Sequence, residues 1–469
     1  MADRHAGPSR GARGARLWRA LAQGLLVAGL LALAVERFLW AGLTFDEPAH
    51  LKGLEAVLDF AAQALRGEAP DFAALPGDLE FYGIGALQPA YVLTGLLDGL
   101  SDRSELLRWS QSVHLVAQLS FLVCLWATWR LLRRVSPPAA LYGTLMLALL
   151  PEFLGHGLFN YKDMPVAAGV AVALDQTPLF LATRRKAALV GLALAAAWLG
   201  TQKLAALLLI GPLPLAVLVV LVRAGRRDLW LAAGGAAAAS LLLLFAATPV
   251  AWVDPLGYLR AALDYMSRHA WNGCMLTDGR CIGREDADWS PLTYLWEWSL
   301  AKLPLSYLLA FALAVGLVLR RPNATAGLAL ATLLCFLVAI AIRGSTLYDG
   351  LRHVLFLLPL GVCVVAASGL FAPRAARLVA ALVLAWLAFE NARFYPYNYA
   401  WFTPLKASAA AANRYDTDYW GYSLRAAADR LPPAAAIAGV PDFLLRPFLP
   451  VPPPDGTWPR YLVRFNRWV

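Results

Sequence analysis

Long apolar runs separated by short polar turns fill most of the chain. A helix that crosses a bilayer needs about 20 mostly apolar residues, because the hydrocarbon core is roughly 30 Å thick. Runs of this kind predict eleven membrane-spanning helices, at approximately residues 17–40, 110–132, 139–155, 164–182, 187–200, 204–222, 229–248, 304–319, 324–342, 354–372 and 375–390. The pattern therefore predicts an all-α polytopic membrane protein with a bundle of about 11 transmembrane helices, within a range of roughly 10 to 13.

Composition and charge agree with this class. Hydrophobic residues make up 59% of the chain and charged residues only 15%, whereas soluble domains carry roughly 25% charged residues. The formal net charge of +10 invites a nucleic-acid partner, but Lys and Arg cluster at the ends of apolar runs. Such clusters set membrane topology, so no nucleic-acid partner is expected.

The basic clusters also predict the orientation of the chain. If the N-terminus is cytoplasmic, every basic cluster at a tight turn falls on the cytoplasmic side, as the positive-inside rule requires. These clusters are Arg133-Arg134, Arg184-Arg185-Lys186, Arg223 with Arg226-Arg227, Arg320-Arg321, and Arg374 with Arg377. An odd number of spans follows, and the C-terminus lies outside, on the non-cytoplasmic face.

Three parts of the chain follow from this topology. The run 17–40 is too long for the apolar region of a signal peptide and is expected to be an anchor. The parts are a cytoplasmic basic leader (1–16), a transmembrane domain (17–392) with helical outside loops at 44–110 and 248–303, and an extracytoplasmic tail (393–469). Aromatic residues favour the headgroup level, so the aromatic-rich outside loops and tail are expected to lie against the membrane.

The first outside loop opens with Thr44-Phe45-Asp46-Glu47-Pro48-Ala49-His50. Carboxylates at a membrane boundary are costly and often functional. An apolar wall raises a carboxylate's pKa, which would suit Asp46 as a general base, while Glu47 binds a metal or orients a partner. His50 lies four residues after Asp46 and would share its helical face. The alternative is structural: Asp46 caps a helix that Pro48 opens.

Two further outside turns carry lysines. Lys162 and Asp163 begin a predicted span, where Asp163 could hold a cation or an acceptor hydroxyl. Lys203, between two apolar runs, could hold a phosphate as a point charge. The alternatives are a capped helix with interfacial anchoring for the first turn, and a lysine that extends to the interface for the second.

The run Tyr348-Asp349-Gly350-Leu351-Arg352-His353 opens the tenth span, with Arg343 shortly before it. Arginine and histidine at this depth need an anionic partner, which is either a protein carboxylate or a ligand phosphate. The alternative to a phosphate site is an internal salt bridge to Asp349.

Two of the five cysteines, Cys274 and Cys281, lie in an outside loop. An oxidising compartment permits a disulfide there, and the Asp278-Gly279 turn would bring the two cysteines together. A zinc site is not expected, because no further Cys or His pair is close in the sequence.

Together these motifs resemble those of GT-C glycosyltransferases, and most closely the bacterial family 39 group. That group is related to protein O-mannosyltransferases and to the aminoarabinose transferases that modify lipid A. The motifs that carry the resemblance are Thr44–His50, Lys162-Asp163-Met164-Pro165, Tyr348–Phe356, Tyr395–Tyr399 and Asp416–Gly421.

The resemblance implies that a sugar is transferred, with inversion, from a polyprenyl-phosphate donor on the outer face of a bacterial inner (plasma) membrane. It implies Asp46 as the base, assisted by Glu47, and Asp163 as a ligand of a divalent cation (Mg²⁺ or Mn²⁺) or as a group that orients the acceptor. Lys203, Arg352 and His353 would hold the departing phosphate. The acceptor would be a lipid, a glycan or a protein, in contact with membrane lipids.

One departure bears on the acceptor. Protein mannosyltransferases carry a large β-rich luminal domain, and the loop 248–303 is too short for it. A lipid or glycan acceptor is therefore at least as well supported as a protein. The alternative functions are a transporter or flippase of lipid-linked sugar and a non-catalytic scaffold for envelope assembly. A transporter often shows inverted repeats and broken midplane helices, and the sequence shows no repeat.

Overall fold

The structure is a computed structural model. It describes residues 24, 28–29, 31–36, 38–40, 42–75, 81, 83–268, 273–283, 286, 289–406, 414–432, 435, 437–438, 440–449 and 461–462. The predicted leader and half of the first predicted span lie outside the described residues, although residues 31–36 are helical. Residues 1–41 form one unit and residues 42–469 a second one. The description below concerns the second unit.

Helices dominate the described part of this unit, which confirms the predicted all-α class. Their bounds are α1 Glu47–Leu65, α2 Leu87–Asp98, α3 Glu105–Val135, α4 Pro137–Leu149, α5 Pro151–Gly157, α6 Met164–Thr183, α7 Lys186–Gln202, α8 Ala206–Leu209, α9 Pro212–Ala224, α10 Arg227–Ala246, α11 Pro255–Arg268, α12 Pro291–Lys302, α13 Leu305–Arg320, α14 Ala324–Arg343, α15 Leu357–Ala367, α16 Arg374–Phe394, α17 Leu424–Ala428 and α18 Asp442–Leu445. Short 3-10 helices lie at Phe72–Ala74, Pro249–Trp252, Arg352–Val354, Asn398–Ala400 and Arg446–Phe448.

The predicted spans after the first each coincide with helix in the structure. Helices α3, α6, α10, α14 and α16 are long and apolar enough to cross a membrane, and the shorter apolar helices are α7, α9, α13 and α15. The pair α4 and α5 bends by 69°. Leu150 adopts an extended backbone there, as expected for a residue before proline. The predicted span 204–222 is broken into α8 and α9, because Pro212 has no N–H to continue the helical ladder.

The loops 44–110 and 248–303, which were predicted to lie outside, are largely helical through α1, α2, α11 and α12, as predicted. The second loop also contains an antiparallel hairpin of β1 (Met275–Thr277) and β2 (Arg280–Ile282). Asp278 and Gly279 form its turn with φ of 50° and 81°, the left-handed conformation of tight hairpin turns. The predicted disulfide between Cys274 and Cys281 is present, with Cα atoms 5.3 Å apart.

This hairpin is docked on the C-terminal part of the chain. The Leu276 N–H donates to Asp416 Oδ2 over 3.1 Å, and the Asp416 N–H donates back to the Leu276 carbonyl over 3.2 Å. At the turn, Asp278 pairs with Arg414. The Asp349 N–H contacts Met275 Sδ at 3.1 Å, so the hairpin bridges the tail and the Tyr348–His353 segment.

The tail departs from expectation. Its aromatic residues were expected at the membrane surface, yet Trp401, Tyr415 and Trp420 are fully buried inside the protein. Part of the reason is a close approach of two backbones: a Cβ at Gly155 would overlap the backbone of Tyr399. Glycine lets the tail pack directly on α5.

A hydrophobic cluster fixes the position of α1. Leu54 and Phe60 from α1 pack with Trp109 and Val113 from α3, and with Tyr161. The Trp109 indole N–H also donates to the Glu47 carbonyl over 3.1 Å. The start of α1, which carries the Asp46-Glu47 pair, is thereby held against α3.

Candidate active site

Asp46 faces a lysine from a distant part of the sequence. It occupies the N-cap position of α1, but its side chain makes no capping hydrogen bond. Instead, Lys162 Nζ lies 3.1 Å from Asp46 Oδ2. The structural alternative, in which the Asp46 side chain caps the helix, is therefore not what the structure shows.

The pKa of Asp46 differs from the expectation of a raised value. Burial alone would raise the pKa of this carboxyl, but Lys162, His50 and Arg352 more than offset burial and hold the pKa below its usual value. The expectation was wrong because sequence spacing could not reveal the opposing cation. Asp46 is ionised at neutral pH, and its strength as a base depends on what Lys162 contacts.

Glu47 points away from this pair. Its side chain is fully buried, and Glu47 Oε1 accepts hydrogen bonds from Thr44 Oγ1 at 2.8 Å and from the Thr44 N–H at 3.2 Å. His114 Nε2 lies 2.8 Å from the same oxygen. Glu47 therefore fastens the Thr44–His50 motif to α3.

His50 lies close enough to Asp46 to affect the pKa of that carboxyl. Its Nδ1 is 2.8 Å from the Tyr161 hydroxyl. Burial and the nearby charge of Lys162 lower the pKa of His50 to about 3, against the opposing effect of Asp46. The imidazole is thus neutral at physiological pH and can serve as a hydrogen-bonding group.

Asp163 is surrounded by donors. Lys203 Nζ lies 2.5 Å from Oδ1, Arg352 Nη1 lies 3.6 Å from Oδ2, and Asn160 Nδ2 donates to Oδ2 over 3.1 Å. Burial would raise the pKa of Asp163, but Lys203, Arg352 and His353 more than offset burial and lower it.

This setting does not fit the divalent cation expected at Asp163. Both carboxylate oxygens already face a lysine or an arginine, and a metal ion would be repelled by the same charges. Within the described residues there is no group of three or more His, Cys, Asp or Glu side chains placed to hold a metal. The geometry suits an anionic ligand instead.

Arg352 is the most enclosed cation of the site. Its guanidinium pairs with Asp349 Oδ2 at 2.8 Å, so the salt bridge that was the alternative to a phosphate site is present, and its side chain is 3% exposed. The guanidinium also lies over the rings of Tyr348 and Trp420, 5.0 and 4.9 Å from their centroids. Such stacking stabilises a cation withdrawn from water.

His353 packs edge-on against Tyr348, with ring centroids 4.3 Å apart. Burial and the charge of Arg352 lower the pKa of His353 well below its usual value, so it is a neutral donor or acceptor. Arg343 ends α14 and is exposed; no contact described here links it to the ion pairs of the site.

Segments that are far apart in sequence therefore meet at one place. The charge of Arg352 lowers the pKa of both Asp46 and Asp163, so these three groups are electrostatically close. Three carboxylates face three cations: Asp46, Asp163 and Asp349 against Lys162, Lys203 and Arg352. A pocket opens beside them, lined by His50, Gly83, Ala86, Leu87, Tyr161, Lys162, Gln202 and Lys203.

One wall of the pocket was missed by sequence reasoning. The Gly83 N–H donates to the Gln202 carbonyl over 3.1 Å, and the Gly85 N–H donates to the Thr201 carbonyl over 3.0 Å. Ala86 N–H reaches Gln202 Oε1 at 3.2 Å. A Cβ on either glycine would overlap Thr201, so the Gly-Ile-Gly spacing was the available signal for this close approach.

The buried pair of Glu152 and Lys302 was also missed. Both side chains are 1% exposed, and Lys302 Nζ lies 3.7 Å from Glu152 Oε2. Neither residue stands in a recognisable motif, and their 150-residue separation hides the pairing. Asn160 and His156 lie in a segment that the sequence singled out, but their partners could not be inferred.

Comparison with known proteins finds a likeness among solved structures but none among protein families or curated sequences. No protein-family model matches the sequence, and no curated protein matches it. Among solved structures, the chain is similar to the crystal structure of ArnT from Cupriavidus metallidurans bound to undecaprenyl phosphate. The two chains are 15% identical with a TM-score of 0.49, and the match covers 92% of this chain and 84% of that chain.

Proposed function

We propose that this chain is a membrane glycosyltransferase that moves a sugar from a polyprenyl-phosphate donor to an acceptor hydroxyl at the outer face of a bacterial plasma membrane. The observation that carries the proposal is a set of neighbouring ion pairs: Asp46 faces Lys162, while Asp163 faces Lys203 and Arg352. Both lysines line one pocket. A carboxylate base beside three cations is what transfer from a phosphate leaving group requires.

The chemistry follows from the ion pairs. Lys162 and Lys203 both line the pocket, and each is held by a carboxylate. A donor phosphate that draws Lys162 away from Asp46 would raise the pKa of Asp46, so that donor binding makes Asp46 a stronger base. Asp46 then accepts the proton of the acceptor hydroxyl.

The transfer step conserves atoms and charge. The acceptor oxygen forms a bond to the anomeric carbon while the bond from that carbon to the phosphate oxygen breaks. The phosphate leaves with the electron pair and is stabilised by Lys203 and Arg352. Attack from the face opposite the phosphate inverts the anomeric centre. No step passes through a metal ion.

The acceptor is proposed by class. Ala86 and Leu87 form the apolar side of the pocket. The described part of the segment from Gly42 to Ala86 consists of helix and loop. The acyl or prenyl chain of a lipid-borne acceptor would pack against this apolar side. We therefore favour a lipid acceptor, with a glycan as the next candidate, because the loop 248–303 is too short for the luminal domain of protein mannosyltransferases.

The test uses the full chain in proteoliposomes with radiolabelled polyprenyl-phosphate hexoses and pentoses and an envelope lipid extract. Asp46→Asn should abolish transfer while the variant still binds undecaprenyl phosphate. Asp59→Asn, which alters an exposed carboxylate on α1, is the matched control and should transfer normally. Mass spectrometry of envelope lipids and glycans with and without the gene identifies the product.

Two results would overturn the proposal. Unchanged transfer by Asp46→Asn would remove the base. Movement of lipid-linked sugar between leaflets without a new glycosidic bond would establish the alternative, a transporter or flippase.

A further inference from the structure

We infer that His156 and Asn160 are positioning residues for Asp163, joined with Glu152 in a buried ladder that sets the geometry of the site. This inference rests on the proposed function for its catalytic meaning. The buried ladder is defined as Glu152, His156 and Asn160, which follow one another at intervals of four residues. All three are almost fully buried.

Asn160 ties two site residues together. Its Oδ1 accepts the backbone N–H groups of Lys162 at 3.1 Å and of Asp163 at 3.0 Å. Its Nδ2 donates to Asp163 Oδ2 at 3.1 Å. One amide therefore orients both the lysine that faces Asp46 and the carboxylate that faces Lys203.

The same amide fixes the tautomer of His156. Because Oδ1 of Asn160 accepts two N–H groups, the atom that contacts His156 Nδ1 at 3.1 Å is the donor Nδ2. Nδ1 must then be an acceptor, which leaves the imidazole proton on Nε2. His156 Nε2 lies 2.9 Å from the Tyr419 hydroxyl and 3.4 Å from Glu152 Oε1.

Glu152 anchors the far end of the ladder. Lys302 lies 3.7 Å from Glu152 Oε2, and Lys302 Nζ donates to the Tyr399 carbonyl over 2.5 Å. Glu152 also lies against the segment that carries Arg352: a Cβ at Gly350 would be 3.9 Å from Glu152 Oε1. The ladder thus touches both sides of the Asp163–Arg352 pair.

A purely structural role does not account for this arrangement. Buried ion pairs are costly, and apolar side chains of similar volume often serve stability as well or better. The ladder instead connects Glu152, through His156 and Asn160, to Asp163, the carboxylate that holds Lys203. Asp163 faces Lys203, Arg352 and Asn160, with His353 close enough to affect its pKa.

The decisive variant is Asn160→Asp, which keeps the shape and the acceptor of both backbone N–H groups but replaces the donor Nδ2 with a second carboxylate oxygen. Two carboxylates in contact cannot both ionise readily, and Lys203 and Arg352 keep Asp163 ionised, so the added carboxyl at position 160 should bind a proton near neutral pH. Isotope-edited infrared spectra with ¹³C-aspartate should then show a protonated carboxyl band that is absent in the wild type. In the double variant Asn160→Asp/Asp163→Asn the second carboxylate is gone, so the frequency of the band should no longer be affected by coupling to Asp163.

Activity provides the second readout. We expect Asn160→Asp to lower kcat by at least about 10-fold at pH 7 and to move the acid limb of the rate profile to higher pH. His156→Leu should lose about 10-fold, whereas His156→Gln, which keeps one donor and one acceptor, should recover most of that loss. Asn391→Asp is the matched control, because Asn391 is a buried amide whose Nδ2 donates to the Leu149 and Leu387 carbonyls rather than to a carboxylate.

The outcomes separate the ladder from the proposed function. If the wild type transfers no sugar, the infrared band still tests the ladder, because it needs neither donor nor acceptor. Absence of the band in folded Asn160→Asp overturns the inference. The inference is also overturned if Asn160→Asp and Asn391→Asp change the pH profile in the same way, because the effect would then be on folding alone.

Discussion

Removal of Lys162 should make Asp46 easier to protonate. The two charged atoms are 3.1 Å apart, and Coulomb's law with an effective dielectric constant of about 20 gives an attraction of about 5 kcal/mol. Both side chains are partly exposed, at 14% and 26%, and solvent screening reduces this value. Even a third of it exceeds the ~1.4 kcal/mol that corresponds to one pKa unit.

The direction of the expected pH shift follows because the mechanism needs Asp46 in its ionised form. Lys162 holds the pKa of Asp46 low, so the wild-type base stays ionised well into the acid range. In Lys162→Met that stabilisation is gone, and activity should fall off at a pH at least about one unit higher. His50 and Arg352 still face Asp46, and Arg352 continues to favour the carboxylate.

The assay is kcat/KM for sugar transfer by purified protein in proteoliposomes between about pH 4 and 8, the range in which a shifted carboxylate titrates. Lys162→Arg keeps the charge and should keep the wild-type acid limb. Lys52→Met, which changes an exposed lysine on α1, controls for the loss of a positive charge. An unchanged acid limb in an active Lys162→Met enzyme would refute the link between Lys162 and the base.

Three further outcomes are expected. Gly83→Ala should lower the Tm and weaken undecaprenyl-phosphate binding, because its Cβ would overlap a neighbouring backbone at a cost of roughly 1–3 kcal/mol, whereas Gly95→Ala, which meets nothing within 4 Å, should change neither. Replacement of Cys274 and Cys281 by serine together should cost about 2.5 kcal/mol of stability from the entropy of the short loop, measured as the denaturant midpoint with and without reductant; no change would mean that hairpin docking alone holds the loop. Asp163→Asn should lower stability by up to about 3–5 kcal/mol, since it leaves buried cations short of a partner, and a wild-type Tm for this variant would contradict the pairing.

The membrane helices were predictable because lipid imposes a length that few other contexts require. The breaks in them were not. Pro151 and Pro212 were visible in the sequence, but whether a proline bends a helix or starts a new one depends on the packing around it. The 69° bend at Pro151 is what carries the buried ladder toward Asp163.

Candidate site residues were predictable when their motif was dense, and their partners were not. Asp46, Asp163 and Arg352 each stood beside other charged groups, so the sequence marked them. The pairing of Asp46 with Lys162 joins residues 116 positions apart, and no local spacing encodes it. The direction of the Asp46 pKa was wrong for the same reason.

The aromatic residues of the tail were a misleading guide to its position. Aromatic residues are typical of membrane interfaces and also of tightly packed interiors, and composition does not separate the two. Trp420 is fully buried, and its ring lies over the Arg352 guanidinium. It therefore belongs to the packed interior rather than to the membrane interface.

That contact has a consequence for biosynthesis. Trp420 follows every membrane helix described here in chain order, and its ring lies over the Arg352 guanidinium at 4.9 Å from the ring centroid. A nascent chain can therefore insert all of these helices before the ribosome has supplied the group that completes the site. Competence for catalysis would then be acquired at the end of synthesis, when the membrane domain is already in place.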